Sequence, residues 1–111
     1  MRLFLYGTLL DPVTLARRSG DPAAPARCFA ATLHGWRRVA SPGGRFPTLR
    51  RQRRGVVDGV VVDVDAAAMR RLSAYEGDAY RLLSVVVETT TGKSAAKVWI
   101  APGGTRRPWK E

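Results

Sequence analysis

One carboxyl group of the sequence occupies a helical position that suits proton transfer. Glu76 follows Met69, Leu72 and Ser73 at steps of three and four residues, the spacing of one helical face. Met69 and Leu72 form the core-facing stripe, so we expect Glu76 to lie on the buried side of the helix at its C-terminal end. Burial and the negative end of the helix dipole would raise its pKa to about 6–7, which suits general acid–base catalysis. The sequence leaves open a frayed last turn with Glu76 in water.

A second segment offers backbone donors instead of a side chain. Residues 3–6 are an apolar and aromatic run of strand length, which Gly7 breaks, and Thr8 places a hydroxyl at the turn. Asp11 is suited to cap a helix that begins at Pro12. A core strand that ends in a glycine turn just before a helix presents several N–H groups in one direction. This is a local geometry for binding an anion.

The remaining reactive side chains have ordinary structural explanations. His34 is the sole histidine, so no histidine-based metal site or triad is expected, and Cys28, the sole cysteine, is interpreted as a core thiol. No phosphate-loop, CxxC or dinucleotide signature is present, and we therefore expect neither a metal nor a cofactor. The lone cysteine, the absence of a secretory signal and the absence of a membrane-length apolar stretch predict a cytoplasmic protein with no membrane partner.

The charge of the chain is strongly positive, with 19 Lys and Arg against 9 Asp and Glu and a net charge of +10. Such a surplus can indicate contact with nucleic acid or an acidic membrane. We favour an arginine-rich composition without functional meaning, and interpret the cluster at residues 50–54 as a solvated hairpin tip that ends at Gly55. A nucleic-acid-binding barrel that uses this cluster remains an alternative. The lack of interleaved aromatic residues near those arginines counts against it.

The elements that must position these residues are short and mostly β. With 111 residues, we expect one domain over residues 1–111. The predicted segments are a helix over 12–18, a loop over 23–27, a bent strand over 28–39, an extended segment over 46–49, a strand over 56–64, a helix over 66–75 capped by Asp65, strands over 82–89 and 95–101, and a surface tail over 102–111. Within the 56–64 strand, Gly59 indicates a bulge or a close backbone approach. Five or six strands and two short helices predict an α+β fold, a small mixed β-barrel with helices at its side.

Several segments resemble one family in the same order along the chain. Residues 5–9 (LYGTL) resemble the N-terminal signature of the γ-glutamylcyclotransferase-like family, which includes AIG2-like proteins and γ-glutamylamine cyclotransferases. Residues 72–77 (LSAYEG), followed by Tyr80 and Arg81, resemble the family's catalytic segment. Residues 46–49 (FPTL) and 59–61 (GVV) resemble its middle motifs. Each motif is weak alone, but their order and spacing cover most of the chain.

The resemblance implies a small mixed barrel flanked by helices and a metal-independent enzyme. It would cyclise the γ-glutamyl group of a small molecule to 5-oxoproline and release an amine or amino acid. Glu76 would be the acid–base residue, Tyr80 would lie at the cavity wall, and the substrate α-carboxylate would be received by the turn residues Tyr6, Gly7, Thr8 and Leu9. We expect a monomer or weak homodimer. Ser73 stands where the family often has Asp, which affects helix packing more than catalysis. A member that binds a small acidic metabolite without turning it over is the alternative.

Overall fold

The computed structural model describes residues 1–44 and 46–109. Its five strands are β1 (Arg2–Leu5), β2 (Phe29–Ala40), β3 (Pro47–Asp63), β4 (Arg81–Thr89) and β5 (Gly92–Ile100). Two α-helices, α1 (Pro12–Ser19) and α2 (Ala66–Glu76), and two 3₁₀ turns (Thr8–Leu10 and Ala24–Arg27) connect them. None of the helices in this described part is long and apolar enough to cross a membrane.

The strands close into a barrel in the order β1-β3-β2-β4-β5. Neighbouring strands are antiparallel except β1 and β5, which pair in parallel through Leu3 and Lys97. The predicted α+β class, a small mixed barrel with two helices, is therefore confirmed. Closure removes the exposed sheet edges that a flat five-stranded sheet with only two helices would leave.

Strand β1 explains why the barrel has two apolar layers. Phe4 points into the barrel interior, where it packs with Val61 and Val98, whereas Leu3 and Leu5 belong to a second layer with Leu72 of α2 and Leu15 of α1. Because successive side chains of a strand point to opposite faces, both faces of β1 are buried. This double burial accounts for the uninterrupted apolar run at the start of the sequence.

Gly59 marks a close approach of two strands, as its sequence context predicts. A Cβ atom at this position would lie 2.2 Å from the Leu5 carbonyl oxygen and 2.8 Å from Cζ of Phe4. No side chain fits there without moving the backbone of β1. The glycine therefore fixes how closely β3 approaches β1, the strand that leads into the candidate site.

Two aspartates cap the helices as predicted. The Asp11 carboxylate accepts a hydrogen bond from the Thr14 backbone N–H at 3.0 Å, and that of Asp65 accepts one from Ala68 at 2.8 Å. Each α-helix ends one residue later than the sequence predicts.

The loop expected over residues 23–27 instead contains the 3₁₀ turn Ala24–Arg27. This turn accommodates Pro25 because the first N–H groups of a turn need no partner within it.

The hairpin assignment of the arginine cluster is wrong. Residues 50–54 lie inside β3, and the turn between β2 and β3 begins at Ser41, whose N–H donates to Phe46 O at 3.0 Å. Gly43 and Gly44 supply the positive φ values, 90° and 74°, that this turn requires. Gly55 serves a different purpose, because a Cβ there would lie 2.3 Å from the Trp36 carbonyl oxygen of β2.

Candidate active site

A cavity of about 130 Å³ lies where β1 ends beside the last turn of α2. The residues that line it include every residue that the sequence analysis assigned to the site. Its lining consists of Phe4, Leu5, Tyr6, Gly7, Thr8, Leu9, Phe46, Pro47, Tyr75, Glu76, Tyr80 and Trp99. Glu76 carries the one carboxyl group of this lining, and the rest is backbone, aromatic and aliphatic surface with a few hydroxyls. A single carboxyl group therefore shares an apolar chamber with the turn that follows β1.

Glu76 is the last residue of α2, and Gly77 ends the helix with a φ of 80°. The helix packs on the barrel through Ala68 and Leu72, and Glu76 follows four residues after Leu72 on that side, half-buried. Burial raises the pKa of its carboxyl from the ordinary 4.5 to about 7. The frayed-turn alternative does not describe this structure, because the residue is helical and lines the cavity.

The assignment of Ser73 to the buried face is wrong. Ser73 is exposed, whereas its neighbour Leu72 is fully buried. Adjacent helical residues point about 100° apart, so Ser73 lies to one side of the direction in which Leu72 is buried. The residues of α2 that are buried or half-buried on that side include Ala68, Met69, Leu72, Tyr75 and Glu76.

The turn predicted after β1 is present and is the 3₁₀ turn Thr8–Leu10, which follows Gly7. The N–H groups of Leu10 and Asp11 donate to the carbonyls of Gly7 and Thr8 at 3.0 and 3.2 Å. The N–H groups of Thr8 and Leu9 come first in this 3₁₀ turn and have no partner within it. A Cβ atom at Gly7 would be 3.5 Å from Cγ of Pro47, another lining residue, so glycine leaves this side of the cavity open.

Three tyrosines close the walls, and each hydroxyl has a partner outside the cavity carboxyl. Tyr6 donates to the Trp99 carbonyl at 2.6 Å, and Tyr80 donates to the Pro47 carbonyl at 3.0 Å. Burial raises the pKa of both tyrosines, and the nearby Glu76 charge adds to the effect. The Tyr75 hydroxyl lies 2.8 Å from the Thr8 hydroxyl and so connects α2 to the turn.

Six lining residues were not assigned to the site by sequence reasoning: Phe4, Leu5, Phe46, Pro47, Tyr75 and Trp99. Phe4 and Leu5 were placed only in the apolar strand that leads to the turn. Phe46 and Pro47 open a motif that was recognised for its resemblance but not assigned to the site. Tyr75 had a clear signal, since it precedes Glu76 and lies three residues after Leu72. Trp99 had none, because its place depends on the pairing of β5 with β4 and β1.

The arrangement can exchange a proton and hold an anion. A carboxyl with a pKa near neutrality can accept a proton and return it, and free N–H groups of a turn can bind a carboxylate. Within residues 1–44 and 46–109, no group of three or more His, Cys, Asp or Glu side chains lies close enough to hold a metal ion. The fold and site together define a small mixed barrel whose cavity is lined by one carboxyl group, the turn after β1 and aromatic side chains.

A family comparison identifies this class. The family model described as "Gamma-glutamyl cyclotransferase, AIG2-like" matches residues 3–110, nearly the whole chain. The chain belongs to this family. A comparison with curated proteins finds no match.

Solved structures show the same fold. A protein from Arabidopsis thaliana aligns with a TM-score of 0.80 at 24% identity, over 99% of this chain and 74% of the other. A protein named gamma-glutamyl cyclotransferase aligns with a TM-score of 0.77 at 17% identity, over 95% and 68%. An AIG2-like protein from Mus musculus aligns with a TM-score of 0.73 at 17% identity, over 99% and 85%. At these identities the likeness establishes the fold.

Proposed function

We propose that the protein cyclises γ-glutamyl amines or γ-glutamyl amino acids to 5-oxoproline, with Glu76 as the general acid and base. The observation that carries the proposal is one carboxyl group, with a pKa of about 7, in the same cavity as the turn after β1. Family membership supports the reaction class. The geometry supports the residue assignments.

The proposed reaction needs one group that moves a proton twice. The substrate α-amine, mostly protonated near neutrality with a pKa of about 8, first loses a proton to the Glu76 carboxylate. Its nitrogen then attacks the γ-carbonyl carbon, and the new C–N bond closes a five-membered ring. Glu76 returns the proton to the departing nitrogen as the original amide C–N bond breaks. Its carboxylate then takes the second proton of the ring nitrogen, which becomes a lactam N–H, and that proton passes to the released amine. The products are 5-oxoproline and an ammonium ion.

The turn after β1 is proposed to hold the substrate in its folded shape. The N–H groups of Thr8 and Leu9 would bind the α-carboxylate, and Gly7 would leave room for the substrate backbone. Tyr6 and Tyr80 would form walls against which the glutamyl chain bends. Holding the amine near the γ-carbonyl makes the attack intramolecular within a fixed geometry, which can lower a barrier by several kcal/mol.

The test is 5-oxoproline release from a panel of γ-glutamyl amines and γ-glutamyl dipeptides. We expect turnover by the native protein and a loss of roughly 10²–10⁴-fold in Glu76→Gln, because the amide cannot exchange the proton. Asp78→Asn is the matched control, since Asp78 is exposed two residues away. No turnover of any panel member, together with stabilisation by one of them, would favour the non-catalytic alternative. Turnover unchanged in Glu76→Gln would remove this residue from the mechanism.

A further inference from the structure

The positive charge of the chain is concentrated in one region. Residues 22–57 contain eight arginines and no Asp or Glu. The other 75 residues carry eleven Lys and Arg against nine Asp and Glu, which nearly balance. Most of the net charge of +10 therefore comes from β2, most of β3 and the loops beside them.

Part of this positive charge lies on a β-bulge of β3. The register between β2 and β3 shifts between His34 and Trp36, and Gly35 lies opposite the four residues 52–55. Two glycines hold this irregularity: Gly35 has a φ of 89°, and Gly55 packs where a Cβ would strike the Trp36 carbonyl oxygen. The extra residues of β3, 52–55, therefore form a defined β-bulge outside the regular strand pairing.

Three exposed arginines, Arg51, Arg53 and Arg54, form what we term the basic bulge. The Arg51 guanidinium lies over the Trp36 ring, 4.6 Å from its centre, and is held there by a cation–π contact. The ion pairs of the described residues join Arg2 to Asp63, Arg27 to Asp21 and His34 to Glu88, and none of them includes the basic bulge. Its three charges therefore have no carboxylate partner in the described part of the chain.

Two further arginines add positive charge beside the bulge. Arg37 and Arg50 pair across the strands, where like charges repel. Each donates to a carbonyl of the C-terminal segment, Arg37 to Arg106 and Arg50 to Gly104, both at 3.1 Å. A carbonyl satisfies a donor but does not neutralise a cation, so the positive potential persists and favours an anionic partner.

We propose that the basic bulge binds the phosphate backbone of a nucleic acid. The planar guanidinium fork matches phosphate oxygens, and all four cations at residues 50–54 are arginines. Nucleic-acid interfaces are polar and positively charged, whereas the centres of protein–protein interfaces are poor in charge. Positions 51–54 present only Arg and Gln.

The sequence argument against this partner concerns base stacking and does not bear on phosphate contacts. That argument relied on a lack of aromatic residues near the arginines, and the Trp36 ring lies directly under Arg51. Because Arg51 covers the Trp36 ring, bases cannot stack on it, and contact through phosphates is expected to be independent of sequence. The two-stranded ribbon could follow a single strand or enter a duplex groove, since both offer the same phosphodiester chemistry.

The test is fluorescence anisotropy with a labelled mixed-sequence DNA strand of about 20 nucleotides, and with its duplex, between about 50 and 200 mM salt. The triple variant Arg51→Gln, Arg53→Gln, Arg54→Gln is expected to bind at least about tenfold more weakly at the lowest salt. Its slope of log affinity against log salt should be shallower by about two for the single strand. The variant Arg17→Gln, Arg70→Gln, Arg81→Gln removes the same charge from exposed positions on other elements and should keep the native slope.

Three results would overturn the proposal. The first is no binding by the native protein at about 50 mM salt. The second is equal weakening in the two triple variants, which would show a general charge effect. The third is tighter binding to poly-glutamate than to DNA at equal charge concentration, which would indicate an acidic protein. Circular dichroism checks the fold, and if the bulge variant fails to fold, Arg53→Gln alone should still make the slope shallower by about one.

Discussion

We expect the ionisation of Glu76 to lower the free energy of unfolding as the pH rises. The variant Glu76→Gln should not show this loss of stability. The pKa of Glu76 is about 7 in the folded chain and near the ordinary 4.5 in the unfolded chain. Below both values the carboxyl is protonated in both states and contributes no difference. Between them the folded chain keeps a proton that the unfolded chain releases, so stability falls as the pH rises and the loss is complete above about 7.

The magnitude follows from the pKa difference. One pKa unit corresponds to about 1.4 kcal/mol, which gives an upper bound of about 3 kcal/mol for the full difference. Because Glu76 is only half-buried and water screens part of its charge, we expect about 1–2 kcal/mol. Glutamine keeps the shape of the side chain but cannot ionise. The variant should therefore gain this amount relative to the native protein between about pH 4.5 and pH 8.

The measurement is urea unfolding of both proteins at several pH values, with the difference in unfolding free energy plotted against pH. Asp78→Asn serves as the control because Asp78 is exposed and lies outside the cavity lining. A difference between native protein and Glu76→Gln that stays constant with pH would refute the reasoning. It would show that the carboxyl is hydrated in the folded state and is not poised for proton transfer.

Three further outcomes are expected. In the pH profile of kcat/KM, activity should rise through about pH 7 as the Glu76 carboxylate forms, and a flat profile across that range would contradict its role as base. Tyr75→Phe loses the hydroxyl contact to Thr8, so KM should rise about fivefold while urea unfolding changes by about 1 kcal/mol or less. Gly59→Ala places a Cβ 2.2 Å from the Leu5 carbonyl, and a urea titration should show a loss of about 1–3 kcal/mol or more. A native-like midpoint would mean that β1 can shift.

The sequence was sufficient wherever one local signal determined the structure. The apolar run ending at Gly7 predicted a buried strand and turn, and Gly59 predicted a close approach of strands. Asp11 and Asp65 predicted the starts of both helices. These signals depend on residues within a few positions of each other. They were enough to predict a barrel, because two short helices cannot cover a flat sheet of five or six strands.

Features set by contacts distant in sequence were not predicted. Residues 50–55 have the composition of a turn, and only the pairing with β2 shows that they lie within a strand and that residues 52–55 form a bulge in it. Ser73 and Leu72 both fit a helical step from Met69, and only the barrel surface decides which of them is buried. The position of Trp99 depends on strand closure in the same way. Periodicity gives the face of an element, but its neighbours determine how wide the buried stripe is.

The hydrogen bonds of the cavity walls help to explain how Glu76 can keep a high pKa. A carboxylate that accepts hydrogen bonds becomes more acidic, which would oppose the effect of burial. Three tyrosine hydroxyls line the same cavity, yet Tyr6 and Tyr80 donate to backbone carbonyls and Tyr75 is engaged with Thr8. Among the described residues, no donor bonds the Glu76 carboxyl, and burial is the sole cause of its raised pKa. The bonds that hold the walls together thus also leave the carboxyl free to take a proton from a bound molecule.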